Sequence, residues 1–129
     1  MVEFALVASV VLLILFGIVD FGRAVYAYNT VSNAARQAAR TAIVNQNISM
    51  IDATALQTAV ALSITSANVS VSFEQPDRNG PCSPVEYGCL AVVTITYRYQ
   101  PLTPIIGNII GAINLSSTTA MPVENPYAS

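Results

Sequence analysis

The chain opens with sixteen consecutive residues that carry no charge, Phe4 to Val19 (FALVASVVLLILFGIV), bracketed by Glu3 and Asp20. At a helical rise of about 1.5 Å per residue this run spans roughly 24 Å, slightly less than the ~30 Å hydrocarbon core of a bilayer. No basic region precedes it and no small-residue cleavage motif follows it, so it does not read as a removable signal sequence. Helical patterning continues instead. Ile18, Phe21, Val25, Tyr28, Ser32, Ala35, Ala39 and Ala42 recur at three-four spacing on one face, and a second stripe of Ala24, Ala27, Ala34 and Ala38 lies beside them. The pattern predicts one helix over 2–44, about 65 Å long, ended by Asn45, Gln46 and Asn47. Its first half is apolar all round, whereas its second half has an alanine seam and a polar face with Arg23, Thr30, Asn33, Gln37 and Arg40.

A second amphipathic helix is predicted over 51–64, with Ala55, Ala59 and Leu62 toward the first and Asp52 supporting its N-terminal end. After Asn68 the period becomes two. Val69, Val71 and Phe73 alternate with Ser70, Ser72 and Glu74, which predicts a half-buried strand. Residues 75–88 collect prolines, glycines and Asn79 into a long loop, and Leu90 to Tyr99, rich in Val, Ile, Thr and Tyr, predicts the strongest strand. Pro101 and Pro104 interrupt the pattern. Ile105 to Ile110 follows as a short helix or apolar turn, and Ile113 to Met121 as a last strand. The fold class expected is α+β: a long N-terminal helix packed by a second helix and a small antiparallel sheet. Residues 1–22 form a hydrophobic half-helix, and residues 23–129 form the head with the second half of that helix.

Composition narrows the chemistry. The chain has 129 residues, a formal net charge of −2, no histidine, and five cations that are all arginine: Arg23, Arg36, Arg40, Arg78 and Arg98. Scattered arginines on an acidic chain cannot supply the counterion release that nucleic-acid binding needs, so no nucleic-acid partner is expected. The absence of histidine removes the ordinary general base and the imidazole metal ligand, so no enzyme activity, metal or cofactor is expected. Cys82 and Cys89 are too few for a four-ligand zinc site, and the short loop between them favours a disulfide in an exported chain.

Glu3 beside a membrane-length run is the most informative side chain. An acid there either favours the helix N-terminus through the macrodipole or pairs with a terminal amine on a neighbouring subunit. Asp20 and Arg23, three residues apart, pair on the helix surface, either as a simple intrahelical contact or as a register device between subunits. Tyr26, Tyr28, Tyr97 and Tyr99 lie at regular helical or strand spacing and read as core or interface aromatics. Asn47, Asn68 and Asn114 each begin an Asn-x-Ser sequon, a weak glycosylation signal.

The segments Val2-Glu3-Phe4-Ala5-Leu6-Val7, Phe16-Gly17-Ile18-Val19-Asp20-Phe21-Gly22-Arg23 and Asn33-Ala34-Ala35-Arg36, with the apolar run between them, resemble the N-terminal region of TadE-like pseudopilins. The C-terminal stretch VVTITYRYQPLTPIIGNIIGAINLSSTTAMPVE is also similar to that family. The resemblance implies a type IV pilin-like protein of the tight-adherence (Tad/Flp) class. It also implies a precursor cleaved by a prepilin peptidase after a glycine, and it strengthens Glu3 as an assembly contact; Phe4, Asp20 and Arg23 are the further assembly candidates. On this reading the chain sits in the inner membrane, meets the pilus assembly machinery, and polymerises with copies of itself into an extracellular helical filament for surface attachment. The alternative is a minor membrane-anchored pseudopilin that primes or regulates a pilus made by another subunit. Three departures from the family pattern stand out. The glutamate is third here rather than fifth, Ser9 replaces a proline that would kink the helix, and Pro122 replaces a basic residue, so no role carries over to Glu124.

Overall fold

The computed structural model describes residues 2–126, so the first residue and the last three of the two expected segments lie outside the described residues. Helix α1 runs unbroken from Val2 to Ala42. It passes through Ser9, whose hydroxyl donates back to the Ala5 carbonyl at 2.8 Å, a bond a serine makes without leaving the helix. The helix ends two residues before the expected limit. There the side-chain amide of Gln46 donates to the Ala42 carbonyl, and the backbone N–H groups of Glu124 and Asn125 both donate to Ile43 O at 3.1 Å. The chain beyond the last strand thus satisfies carbonyls that a helix C-terminus leaves without partners.

Helix α2 spans Ile48–Thr58, three residues earlier than its pattern predicts at the start. Asn47 is its N-cap, with the side-chain oxygen accepting from Ser49 N at 3.0 Å. Asp52, expected to support this end, lies beyond the first turn, and its Oδ1 is buried without a hydrogen-bond partner. The helix also stops sooner, continuing as a 3-10 turn over Val60–Leu62 that closes at Ser63 in the left-handed region. Ile51, Ala55 and Ala59, four residues apart, are fully buried in the common core, and Leu62 packs at its edge as expected.

Three antiparallel strands follow in the order β1 (Val69–Glu74), β2 (Leu90–Tyr99), β3 (Ile113–Pro122). The central strand is the predicted strongest one. It sets Val93 opposite Val71 and Thr119, and Ile95 opposite Val69 and Ser117. Ala91, Val93, Ile95 and Tyr99 alternate inward, as a half-buried strand requires. On the other face Thr94 and Thr118 share a hydroxyl hydrogen bond of 2.8 Å across the strands. The loop from β1 to β2 carries the Cys82–Cys89 disulfide. Between β2 and β3 lies α3 (Pro104–Ile110), with Pro104 at its first turn and Gly111, at φ 73°, ending it.

The head has two layers, the sheet on one side and α1 with α2 on the other. Its core is built from the small residues Ala34, Ala35, Ala38, Ala39 and Ala42 of α1, set against Ala91, Val93 and Ile95 of β2. Alanine brings little apolar area of its own, but it lets the helix lie close to the sheet so that the larger inward side chains lose their water.

The helix faces are shared out differently from the sequence pattern. Ala27, Ala34 and Ala38 of the second stripe are buried, with Val31 between them, and so are Ala35, Ala39 and Ala42 of the first stripe. The N-terminal part of the first stripe stays outside the alanine seam and largely exposed: Ile18 is 63% exposed, Phe21 72%, Val25 43% and Tyr28 50%. A sheet packs on a helix where the side chains are small, and these four are too bulky to share that seam.

The seam leaves no room for growth. Replacing Ala38 with Leu is expected to lower stability by about 1–3 kcal/mol through overpacking, read as a lower denaturation midpoint of the full chain in detergent micelles. An unchanged midpoint would mean that the seam is not close-packed.

Candidate functional site

Two features meet on α1. One is an exposed apolar rod, the other a polar joint where the head begins. From Val2 to Val19 every large apolar side chain is between 49% and 79% exposed, and none of this segment packs on the head as core. Glu3 and Phe4 stand at its free end, with Phe4 79% exposed, and Glu3 forms no ion pair among the described residues. The helix is long and apolar enough to cross a membrane.

The joint is built around Asp20, the residue that ends the run. Asp20 is 5% exposed, and its carboxylate accepts two backbone hydrogen bonds, from Leu102 N to Oδ1 and from Thr103 N to Oδ2, each 3.0 Å long. The Tyr99 hydroxyl donates to the backbone carbonyl of the same residue at 2.8 Å. Arg23 completes the cluster. Its guanidinium lies 3.7 Å from Oδ1 and 5.9 Å from the centre of the Tyr99 ring, with its side chain still 47% exposed. Burial pushes the Tyr99 phenol above its ordinary pKa, and the Asp20 carboxylate pushes it the same way, so the hydroxyl stays protonated and able to donate.

This arrangement corrects the picture of Asp20 and Arg23 as a surface pair. The ion pair is present, but the carboxylate is covered by the chain's own loop after β2, and the Thr103 side chain and the backbone amides of Leu102 and Thr103 hold its charged form more than Arg23 does. Each such amide bond to a charged acceptor contributes about 1.5–3 kcal/mol, whereas an exposed i,i+3 pair contributes about 0.2–0.5 kcal/mol. The 3.7 Å contact to Arg23 is therefore the lesser part of the site. Leu102, Thr103 and Tyr99 are the members that spacing along the helix could not find, since they follow Asp20 by about eighty positions.

The remaining candidates are dispersed. The Cys82–Cys89 bridge sits at the far end of the sheet, with Cys89 in the core and Cys82 at its edge. Of the sequon asparagines, Asn47 caps α2, Asn68 accepts from Thr65 N at 2.9 Å, and Asn114 is exposed on β3. Tyr97 and Tyr99 belong to the head interior, whereas Tyr26 and Tyr28 are exposed on α1. Among the described residues no three His, Cys, Asp or Glu side chains gather as metal ligands.

Asp20→Asn keeps the shape but turns an N–H group toward one of the two amide donors. It is expected to cost about 1–3 kcal/mol and to accelerate hydrogen exchange at the Leu102 and Thr103 amides of the full chain in micelles. Exchange as slow as in the unchanged chain would show that the carboxylate does not hold the loop.

Comparison with curated proteins and with solved structures finds no match. A family model matches residues 1–40 and does not reach the C-terminal stretch. It is the model described as TadE-like protein, so the helix that carries both the exposed rod and Asp20 is similar to TadE-like proteins.

Proposed function

We propose that this chain is a non-enzymatic structural pilin, anchored in the inner membrane before assembly and polymerised through α1 into an extracellular Tad-type filament for surface attachment. One observation carries the reading. The first five turns or so of α1 are apolar around the whole circumference and stand clear of a folded head. A rod of that kind needs a cover, first acyl chains and then the rods of neighbouring subunits.

Moving from lipid to protein brings little hydrophobic gain, because acyl chains are as apolar as leucine. Packing and polar pairing must therefore supply the specificity. Glu3, at the free end of the rod, is the group able to select a neighbour by pairing with its terminal amine. A carboxylate taken out of water without such a partner is costly. Staggered contacts between a rod and the next subunit are heterologous and do not close, which is the geometry of a fibre. The exposed stripe of Ile18, Phe21, Val25 and Tyr28 extends that contact along the head. Prepilin peptidase and the pilus assembly machinery are the partners of the membrane-bound form.

The second reading is a minor, membrane-anchored pseudopilin that primes or regulates a pilus made by another chain. The TadE-like match of the N-terminal segment supports it as well. Composition separates the two: sheared surface filaments made mostly of this polypeptide support the structural subunit, and traces of it support the accessory role.

Glu3→Gln is expected to leave the membrane-bound level of the chain unchanged while reducing sheared filaments at least tenfold, the loss of about 1.4 kcal/mol or more per docking step. Quantitative blotting of the membrane and sheared fractions checks this. A normal filament yield would remove Glu3 from the docking step.

A further inference from the structure

The loop that Asp20 holds leads directly into α3, whose sequence Pro104-Ile105-Ile106-Gly107-Asn108-Ile109-Ile110 has no charge. Only one side of this short helix serves the fold. Ile106 turns toward α1 so closely that a Cβ placed on Gly17 would lie 4.0 Å from its Cδ1. Ile106 and Ile110 line an apolar groove of about 260 Å³ with Gly17, Phe21, Pro101 and Ile113. The other side is bare. Leu102 is 74% exposed, Ile105 52% and Ile109 79%, and Ile110 at the rim of the groove is 58% exposed, a collar of large aliphatic side chains beside a turn of α1 that is itself exposed at Ile18 and Phe21.

We propose that α3 is a second membrane contact, a short interfacial helix that lies in the headgroup and upper acyl region of the leaflet facing the head while α1 spans the bilayer. The inference rests on reading Phe4–Val19 as the membrane span. The height of α3 on α1 carries it. Gly17 is inside the apolar run, two residues before its end, and Ile106 is in near contact with it. Any bilayer position that covers Ile14 to Val19 therefore brings α3 to the same depth. An apolar helix held at that level meets lipid without further movement, and lying in the interface is how a short apolar surface is covered when it cannot span. The run alone reaches roughly 24 Å, short of the hydrocarbon core, and the collar widens the apolar surface where the run ends. Arg23, half exposed one turn beyond Asp20 with its guanidinium held between that carboxylate and the Tyr99 ring, would then stand near the lipid phosphates.

The chain has no tryptophan, so a single introduced indole reports its own surroundings. Four variants of the full chain, Ile109→Trp, Leu102→Trp, Leu12→Trp and Tyr87→Trp, are reconstituted at high dilution into phosphatidylcholine vesicles. The lipid is unmodified, brominated on the acyl carbons near the headgroup, or brominated near the chain ends. Tyr87, 79% exposed in the disulfide loop, is the aqueous control, and Leu12 is the span control. The expected result is blue-shifted emission from the Ile109→Trp and Leu102→Trp variants, quenched most by the headgroup-side bromines, with the Tyr87→Trp variant unquenched. Quenching of Leu12→Trp without quenching of Ile109→Trp and Leu102→Trp overturns the collar and leaves the span intact. Absence of quenching at Leu12→Trp as well overturns the span itself. Shielding of the α3 reporters only in lipid-free oligomers, and not in dilute vesicles, makes a second copy of the chain the occupant and likewise overturns the proposal.

Discussion

The Asp20 carboxylate, accepting from two backbone N–H groups at 3.0 Å, fixes where the head ends and the bare helix begins. The alanine seam cannot do this alone. Ala34, Ala35, Ala38, Ala39 and Ala42 offer the sheet a smooth surface, and a smooth surface holds two layers together more firmly than it holds their position along the axis. A directional interaction is needed to set the register. A buried carboxylate is costly unless its oxygens are satisfied, and they are satisfied here only when Leu102 and Thr103 arrive at one height on α1. Tyr99 adds a third bond at the same residue, so the end of β2 and the loop after it are tied to one turn of the helix.

Much of this architecture was legible in the sequence. The period-two alternation from Val69 and the Val, Ile, Thr and Tyr content of Leu90 to Tyr99 located β1 and β2 to the residue, because hydrogen bonding along a sheet enforces that period locally. The long helix was legible for the same reason. What escaped was the choice between two adjacent stripes on α1 and the true partners of Asp20. Periodicity marks which residues share a face, but the sheet chose the stripe with the least bulk, leaving Phe21, Val25 and Tyr28 outside. The signal was present in the contrast between alanines and aromatics. For Asp20 no such signal existed, since i,i+3 spacing reveals Arg23 whereas the amides of Leu102 and Thr103 have no side-chain signature. Asn47, a strong N-cap residue expected only as part of the end of α1, starts α2 three residues before the apolar pattern does.

The division of the helix at Asp20 also separates two physical problems. Below it, toward the head, stability comes from close packing and is complete within one chain. Above it, the large side chains from Val2 to Val19 stay exposed among the described residues. The family match spans both parts, since it runs from the free end of the rod through the seam. That extent suits a helix whose exposed end and packed end act as one rigid element. Bending at residue 9 would change the angle between rod and head, and the serine there leaves the backbone hydrogen-bond ladder intact where a proline would break it.

Asp20 and α3 are parts of the same device. Thr103, whose amide the carboxylate holds, is the N-cap of α3, so the polar joint and the apolar collar cannot shift independently along α1. The joint keeps Ile105, Ile109 and Ile110 at the last turns of the apolar run rather than folded back on the sheet. In the membrane-bound form proposed for this chain, that height would present the collar to lipid. In the filament proposed for this chain, the same height would put it beside whichever rods replace the lipid, so one buried carboxylate determines the apolar girth that both environments must accommodate.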